Sequence, residues 1–144
     1  MKEIKFIVAK DKHILGIVKL LKKVGIGVDI NKDAMKKIRK ACGDLCIVAL
    51  DDDKVIGMIA SVFNGVSVWL SYFAVLPEYR DLGVGSKLEQ ITELKSAELG
   101  AVRIITDSWI EAAPFYRKRG YRLPECVFMI KDLTSGISPS QTSR

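Results

Sequence analysis

Residues 66–88 hold, in order, an apolar run, a proline, a glycine-bearing turn and a helical repeat, and this passage narrows the fold more than any other. The run VSVWLSYFAVL at residues 66–76 is apolar on both of its alternating faces, which predicts a central strand covered from both sides. Pro77 ends it. From Gly83 the period becomes helical. Val84, Leu88, Ile91 and Leu94 are spaced by 4, 3 and 3 and predict the buried stripe of a helix that Gly100 stops. Residues 101–106 then read as a second buried strand. A strand that feeds a helix and returns to a strand predicts an α/β domain.

The flanking sequence fits around that passage. Residues 3–9 read as a strand. Asp11 is placed to cap a helix running to Val24, with Ile14, Ile17, Val18, Leu20 and Leu21 as its apolar stripe. The Gly25–Gly27 region breaks it, and Asn31 or Asp33 opens a second helix that stops at Gly43. Two strands follow, at 45–50 and 55–63, separated by Asp51, Asp52, Asp53 and Lys54. Three adjacent carboxylates suit a tight turn better than a metal site, because no further acidic ligand is near in sequence. Asn64-Gly65 is a second hairpin signal. Pro114 falls in the first turn of a short helix that ends at Gly120, and residues 126–133 predict a last strand. The resulting order is β-α-α-β-β-β-α-β-α-β, a mixed central sheet in one domain over residues 1–133. The polar stretch 134–144 is expected to be a disordered tail.

Composition excludes several classes. An apolar share of 49% in 144 residues predicts one folded core. No apolar run is long enough for a membrane helix, and residues 1–13 carry charges through their apolar positions, unlike a secretory signal. Three cysteines (Cys42, Cys46 and Cys126) and one histidine (His13) make neither a disulfide framework nor a zinc ligand set, so no metal is expected. Reduced, buried thiols in a cytoplasmic protein are the ordinary reading. The net charge of +6 favours anionic partners. The lysines between Lys19 and Lys40 could mark a nucleic-acid surface. They lack interleaved aromatics, and two solvated helix faces account for them, so nucleic acid is not the expected partner.

The chemistry sits in Tyr79, Arg80, Asp81, Leu82, Gly83, Val84, Gly85, Ser86 and Lys87, between the strand and the helix. Two glycines at a helix start allow a tight turn and leave N–H groups uncovered. With the positive end of the helix dipole they form a seat for a pyrophosphate, to which Arg80 adds a forked cation. A P-loop would need G-x-x-x-x-G-K-[ST], which is absent. A dinucleotide-binding fingerprint would need a third glycine where Leu88 stands. Asp107 is spaced like a ribose-binding acid, but the 37 residues after it are too few for a doubly wound sheet.

Arg80, Gly83 and Gly85 resemble the loop [RQ]-x-x-G-x-[GA] of the GNAT superfamily of N-acetyltransferases, and Val75-Leu76-Pro77 is similar to that family's V-x-P. A second stretch, Ala112 to Tyr121 (AAPFYRKRGY), resembles its A-x-x-F-Y-x-x-x-G-[FY] motif and begins 27 residues after Gly85. The resemblance spans residues 3–133 and implies a GNAT-type fold with splayed central strands. It also implies acetyl-CoA as cosubstrate and transfer of its acetyl group to a primary amine of an unidentified small-molecule, peptide or protein acceptor.

Carried over residue by residue, Phe73, Ala74 and Val75 would pair with the pantetheine arm. The loop Arg80, Asp81, Leu82, Gly83, Val84, Gly85 and Ser86 would hold the pyrophosphate. Phe115 would belong to the same cofactor site, and Tyr116 would be the general acid. The acceptor would enter near residues 24–31. The chain departs from the family at two points. Residues 66–76 contain no acid to act as base, and Trp109 stands where an asparagine is common. Those departures motivate an alternative, a non-catalytic acyl-CoA-binding sensor or interaction module. Self-association as a homodimer is left open.

Overall fold

The computed structural model of the chain describes residues 3–27 and 29–134. It divides into two units, Met1–Thr106 and Asp107–Arg144. In the first, β1 (Ile4–Val8) is followed by α1 (Ile14–Val24) and α2 (Lys32–Cys42). The strands β2 (Cys46–Asp51), β3 (Lys54–Phe63) and β4 (Ser67–Val75) come next, then α3 (Val84–Glu98) and β5 (Arg103–Thr106). The strands lie side by side in chain order, antiparallel from β1 to β4 and parallel between β4 and β5. The mixed α/β sheet and the order of its elements are those expected. No described helix is long and apolar enough to cross a membrane.

Local chemistry explains most of the boundaries. Asp51 pairs with Lys54 across a two-residue turn in which Asp52 is left-handed (φ 52°), a conformation aspartate tolerates better than most side chains. The Asn64 carboxamide oxygen accepts from the N–H groups of Val66 (3.0 Å) and Ser67 (2.8 Å), closing the next turn. Asn31, not Asp33, caps α2, its Oδ1 accepting from the Ala34 N–H at 2.8 Å. Asp11 does not cap α1. Residues Asp11–His13 form a 3-10 turn, and the Asp11 carboxylate instead accepts from Arg39 of α2 at 2.5 Å. His13 does the local work, its Nδ1 accepting from the Lys10 N–H at 2.9 Å.

That bond needs a neutral imidazole, and burial, then the charges of Lys12 and Lys10, hold the His13 pKa below its usual 6.5 despite an opposing contribution from Asp53. The unfolded chain therefore binds a proton that the native state refuses. Stability from this group is complete above about pH 6.5 and is lost as pH falls toward the lower native value, with a slope of at most about 1.4 kcal/mol per pH unit. The urea midpoint is expected to drop between pH 7.5 and 5.5 by more in the wild type than in His13→Gln. Equal drops would remove His13 from this role.

The core centres on β3, whose residues 55–61 are all buried, so both faces are covered. α1 and α3 both pack on this strand. Gly57 lets α3 approach. A Cβ there would lie 3.2 Å from both Leu88 Cδ1 and Val84 Cγ1 and 3.4 Å from the Ala74 carbonyl oxygen. Gly57→Val is expected to destabilise the fold by about 1–3 kcal/mol through overpacking, read by urea denaturation; an unchanged midpoint would show that α3 yields freely.

This close approach also corrects the expected face of α3. Val84 and Leu88 are buried as predicted, but the row continues through Thr92 and Ser96, with Glu89 beside it, while Leu94 is 60% exposed. Small side chains suit a helix lying near a strand. The two hydroxyls are satisfied within the helix, Thr92 donating to the Leu88 carbonyl (2.9 Å) and Ser96 to that of Thr92 (2.6 Å).

In the second unit a 3-10 turn, Ile110–Ala112, leads into α4 (Ala113–Arg117), with Pro114 in its first turn. Gly120 follows in the left-handed conformation at φ 89°. The strand expected at 126–133 is not formed. These residues have no ladder partner, and Val127, Met129 and Leu133 are each at least 80% exposed. Side-chain preference describes a fit to a half-buried sheet surface and cannot replace the partner that a ladder requires. The expected tail lies, beyond Thr134, outside the described residues.

Candidate functional site

β4 is paired to β3 along its length, but its parallel ladder to β5 covers only Ser67 to Leu70, ending at the Leu70–Thr106 pair. The Thr106 hydroxyl donates to the Leu70 carbonyl there at 3.3 Å. Residues 71–75 run on beyond it. β5 itself ends at Thr106, and in the register with β3 Ala60 faces Tyr72 and Ser61 faces Leu70, so Ser71 is an extra residue at that level. Such a bulge bends a strand and sharpens its twist. Phe73, Ala74 and Val75 therefore lie on the stretch of β4 that the β5 ladder does not reach, with Phe73 and Val75 half-buried and Ala74 buried.

The chain leaves β4 through a 3-10 turn, Pro77–Tyr79, and reaches the glycine loop. Asp81 (φ 64°) and Gly83 (φ 81°) are both left-handed, and Gly83 stands at the N-cap of α3. Alternating hand turns successive N–H groups toward one side, a concavity suited to an anion. The first helical hydrogen bond is Lys87 N–H to the Gly83 carbonyl, at 3.0 Å, so the N–H groups of Val84, Gly85 and Ser86 all precede it. A Cβ built on Gly83 would meet nothing within 4 Å. Leu82 is exposed and Val84 is buried, tying the loop's far end to the core. Arg80 folds back, its Nε donating to the Val75 carbonyl at 3.2 Å, so it braces the end of β4 as well as lending charge.

Positive charge is unevenly placed. Residues 10–40 contain ten Lys/Arg and three Asp, a net +7 against +6 for the whole chain, so the remainder is nearly neutral. Nearest the loop in sequence, the cations are Arg80 and Lys87. The connection between α1 and α2 also reaches β4. A Cβ on Gly27 would lie 3.6 Å from Tyr72 Cε1.

Tyr79, the first residue of the candidate segment but one without an expected role, donates its phenol O–H to Asp51 Oδ2 at 2.5 Å, across 28 residues of sequence. That hydrogen bond, burial and the charges of Asp51, Glu78 and Asp52 hold its pKa above the usual 10. Lys54 lies 5.8 Å from the Tyr79 ring centroid and 3.9 Å from Glu78. No local motif announces this pairing; the only sequence sign is the run of three aspartates at the β2–β3 turn.

Within the second unit, the Tyr116 ring makes edge contacts with Phe115 (5.3 Å between centroids) and Tyr121 (5.2 Å). Arg119 covers a face of Phe115, its guanidinium carbon 3.8 Å from the centroid, and its Nη1 donates to the Phe115 carbonyl at 3.1 Å. Arg119 occupies a variable position of the motif and gave no signal. Trp109 is half exposed ahead of α4.

Cys42 and Cys46 are buried, and burial pushes their thiols up to about 11 and about 12, so neither is a nucleophile at neutral pH. Cys126 is exposed, contrary to the expectation of a buried thiol, because the segment holding it forms no strand. Among the described residues no cluster of His, Cys, Asp and Glu could hold a metal ion.

Comparison with known proteins places the family and the fold. The family model described as acetyltransferase (GNAT) domain matches residues 42–123, more than half of the chain. An uncharacterized N-acetyltransferase of Bacillus subtilis (strain 168), YjcF, is 32% identical over 77 residues, covering 54% of this chain and 55% of that one. The chain thus matches about half the length of this curated relative. Among solved structures, a GNAT-family acetyltransferase of Streptococcus pneumoniae superposes with a TM-score of 0.70 at 26% identity, covering 92% of this chain and 98% of that one. A Trypanosoma brucei acetyltransferase gives 0.76 at 19% identity, over 90% and 99%. An aminoglycoside N-acetyltransferase in complex with CoA gives 0.74 at 18%, over 93% and 97%.

Proposed function

The chain belongs to the GNAT acetyltransferase family, and from that premise we propose that it binds acetyl-CoA along β4 and the glycine loop and transfers the acetyl group to a primary amine. The observation that carries the reading is the continuity of three features in one stretch. A strand runs past its neighbour's ladder, a turn with two left-handed residues follows, and a helix start presents N–H groups to an anion. Residues 71–75 extend over roughly 16 Å of strand at about 3.3 Å per residue. An extended chain bearing amides, as pantetheine is, can lie there as a strand neighbour, through the backbone of Phe73, Ala74 and Val75. The pyrophosphate would rest on the N–H groups of residues 81–86, with Arg80 at the rim.

Transfer forms a C–N bond between the acceptor amine and the acetyl carbonyl carbon and breaks the C–S bond to CoA. The leaving thiolate needs a proton, and Tyr116 is proposed to supply it. A phenol with a reference pKa near 10 is protonated at neutral pH and is a competent donor. The amine must lose a proton. β4 offers only hydroxyls (Ser67, Ser71 and Tyr72), so water carries that proton to solvent in this reading. The acceptor would approach by the α1–α2 connection, where Gly27 lies against Tyr72.

The absence of a carboxylate on β4 favours a second reading, in which acyl-CoA is held without turnover. Release of free CoA thiol, followed with acetyl-CoA and a panel of small amines, amino-terminal peptides and lysine peptides, separates the two. Amine-dependent release supports transfer. Tight binding with no release for any amine class would replace the enzyme by the sensor.

A further inference from the structure

We propose that Asp51 and Tyr79 are positioning residues for the glycine loop: their hydrogen bond fastens the turn ahead of Arg80 to the β2–β3 hairpin and thereby sets the affinity for acetyl-CoA. The inference rests on the reading that residues 80–86 hold the pyrophosphate.

The loop has little of its own to hold it. The backbone bonds of the Pro77–Tyr79 turn are local, Tyr79 N–H to the Leu76 carbonyl (2.9 Å) and Arg80 N–H to that of Pro77 (3.2 Å). Arg80 reaches only as far back as Val75, Asp81 and Leu82 are exposed, and nothing lies near Gly83 on its open side. Firm anchorage returns at Val84, buried against Gly57 of β3. Between β4 and that point, the Tyr79 phenol reaches out of the segment to Asp51 of the β2–β3 hairpin. Lys54 and Glu78 add a long ion pair on the same hairpin.

Two details argue that this tie has a purpose beyond holding the fold. Asp81, immediately past the anchored turn, is a non-glycine residue in the left-handed region, a conformation aspartate tolerates at a modest cost and that fixed segment ends help to hold. And the second Asp51 oxygen, Oδ1, is buried without a hydrogen-bond partner. A buried carboxylate with an unsatisfied oxygen is costly as packing alone, whereas a charged acceptor for the phenol gives a stronger tether than a neutral one.

Releasing the tether lets the loop sample arrangements whose N–H groups no longer converge. Apparent affinity then falls by the fraction of time the competent arrangement is lost. The pyrophosphate is remote from the reacting carbonyl, so the loss is of uniform binding and appears in KM rather than in kcat.

The test uses the full chain and calorimetric titration with acetyl-CoA, with melts as a control and kinetics on an amine found by the panel above. Tyr79→Phe and Asp51→Ala are each expected to weaken Kd and raise KM on the order of tenfold, with kcat within about twofold of wild type. The double variant should be no weaker than either single one. Asp51→Asn, whose amide oxygen still accepts from the phenol, should keep most of the affinity. A fall in melting temperature with Kd and KM unchanged would overturn the positioning role and leave a purely structural contact. A wild-type protein that binds no acetyl-CoA would overturn this inference together with the reading beneath it; wild-type binding with unaffected variants overturns the inference alone.

Discussion

Replacing Gly83 by aspartate is expected to weaken acetyl-CoA binding by at least about a hundredfold, some 2.7 kcal/mol, while leaving the protein folded. A Cβ on Gly83 would meet nothing within 4 Å, so the new carboxylate would start in open space beside the N–H groups proposed to hold the anion. Its carboxylate would then face a pyrophosphate, with like charges a few ångströms apart at a site built to attract negative charge. The cost to the fold is small by comparison. A side chain at φ 81° is strained by about 1–2 kcal/mol. Gly83→Ala separates the two contributions, since it carries the strain without the charge and should lose far less affinity. Calorimetric titration of both variants, with melts to verify folding, reads the difference. An aspartate variant that binds as tightly as wild type would remove the loop from the cosubstrate site.

Tyr116→Phe is expected to lower kcat by about 10²- to 10⁴-fold, the usual contribution of a positioned acid, and to leave the acetyl-CoA KM near its wild-type value. The substitution deletes one oxygen. The ring keeps its edge contacts with Phe115 and Tyr121, so α4 and its surroundings have no packing reason to change. The effect should therefore appear in turnover, with the melting temperature moved by little. Steady-state kinetics at saturating acetyl-CoA provide the measurement. A rate unchanged in the phenylalanine variant would mean that water or another group protonates the departing thiolate.

What could be read from the residues alone was chemistry that acts over a few positions. Asn31 as a cap, Asn64-Gly65 as a turn and the glycines at 83 and 85 opening a helix all involve neighbours along the chain, and the structure places each on the element expected. The loop and the apolar strand before it were legible for that reason. Features that depend on a partner distant in sequence were not. The face that α3 buries is set by elements distant in sequence, and Thr92 and Ser96 go inward and Leu94 outward against their polarity. The bulge at Ser71 is a matter of register with β3. The bond from Tyr79 to Asp51 spans 28 residues. In the other direction, residues 126–133 have strand-like composition but no partner, and composition alone predicted an element that the described chain does not form. Tyr116 was singled out through its motif, and its ring contacts with Phe115 and Tyr121 do not bear on the proposed acid role.

The most direct test of the central claim is the melting temperature of the wild-type protein with and without acetyl-CoA at about a hundred times its dissociation constant, with NADH and ATP as controls. Selective binding to the native state should add about 2.7 kcal/mol of stability, raising the midpoint by roughly 5–10 °C, and the controls should produce no comparable shift. A well-folded protein whose midpoint does not move with acetyl-CoA, or moves equally with all three, would contradict the claim that β4 and the glycine loop form an acetyl-CoA site.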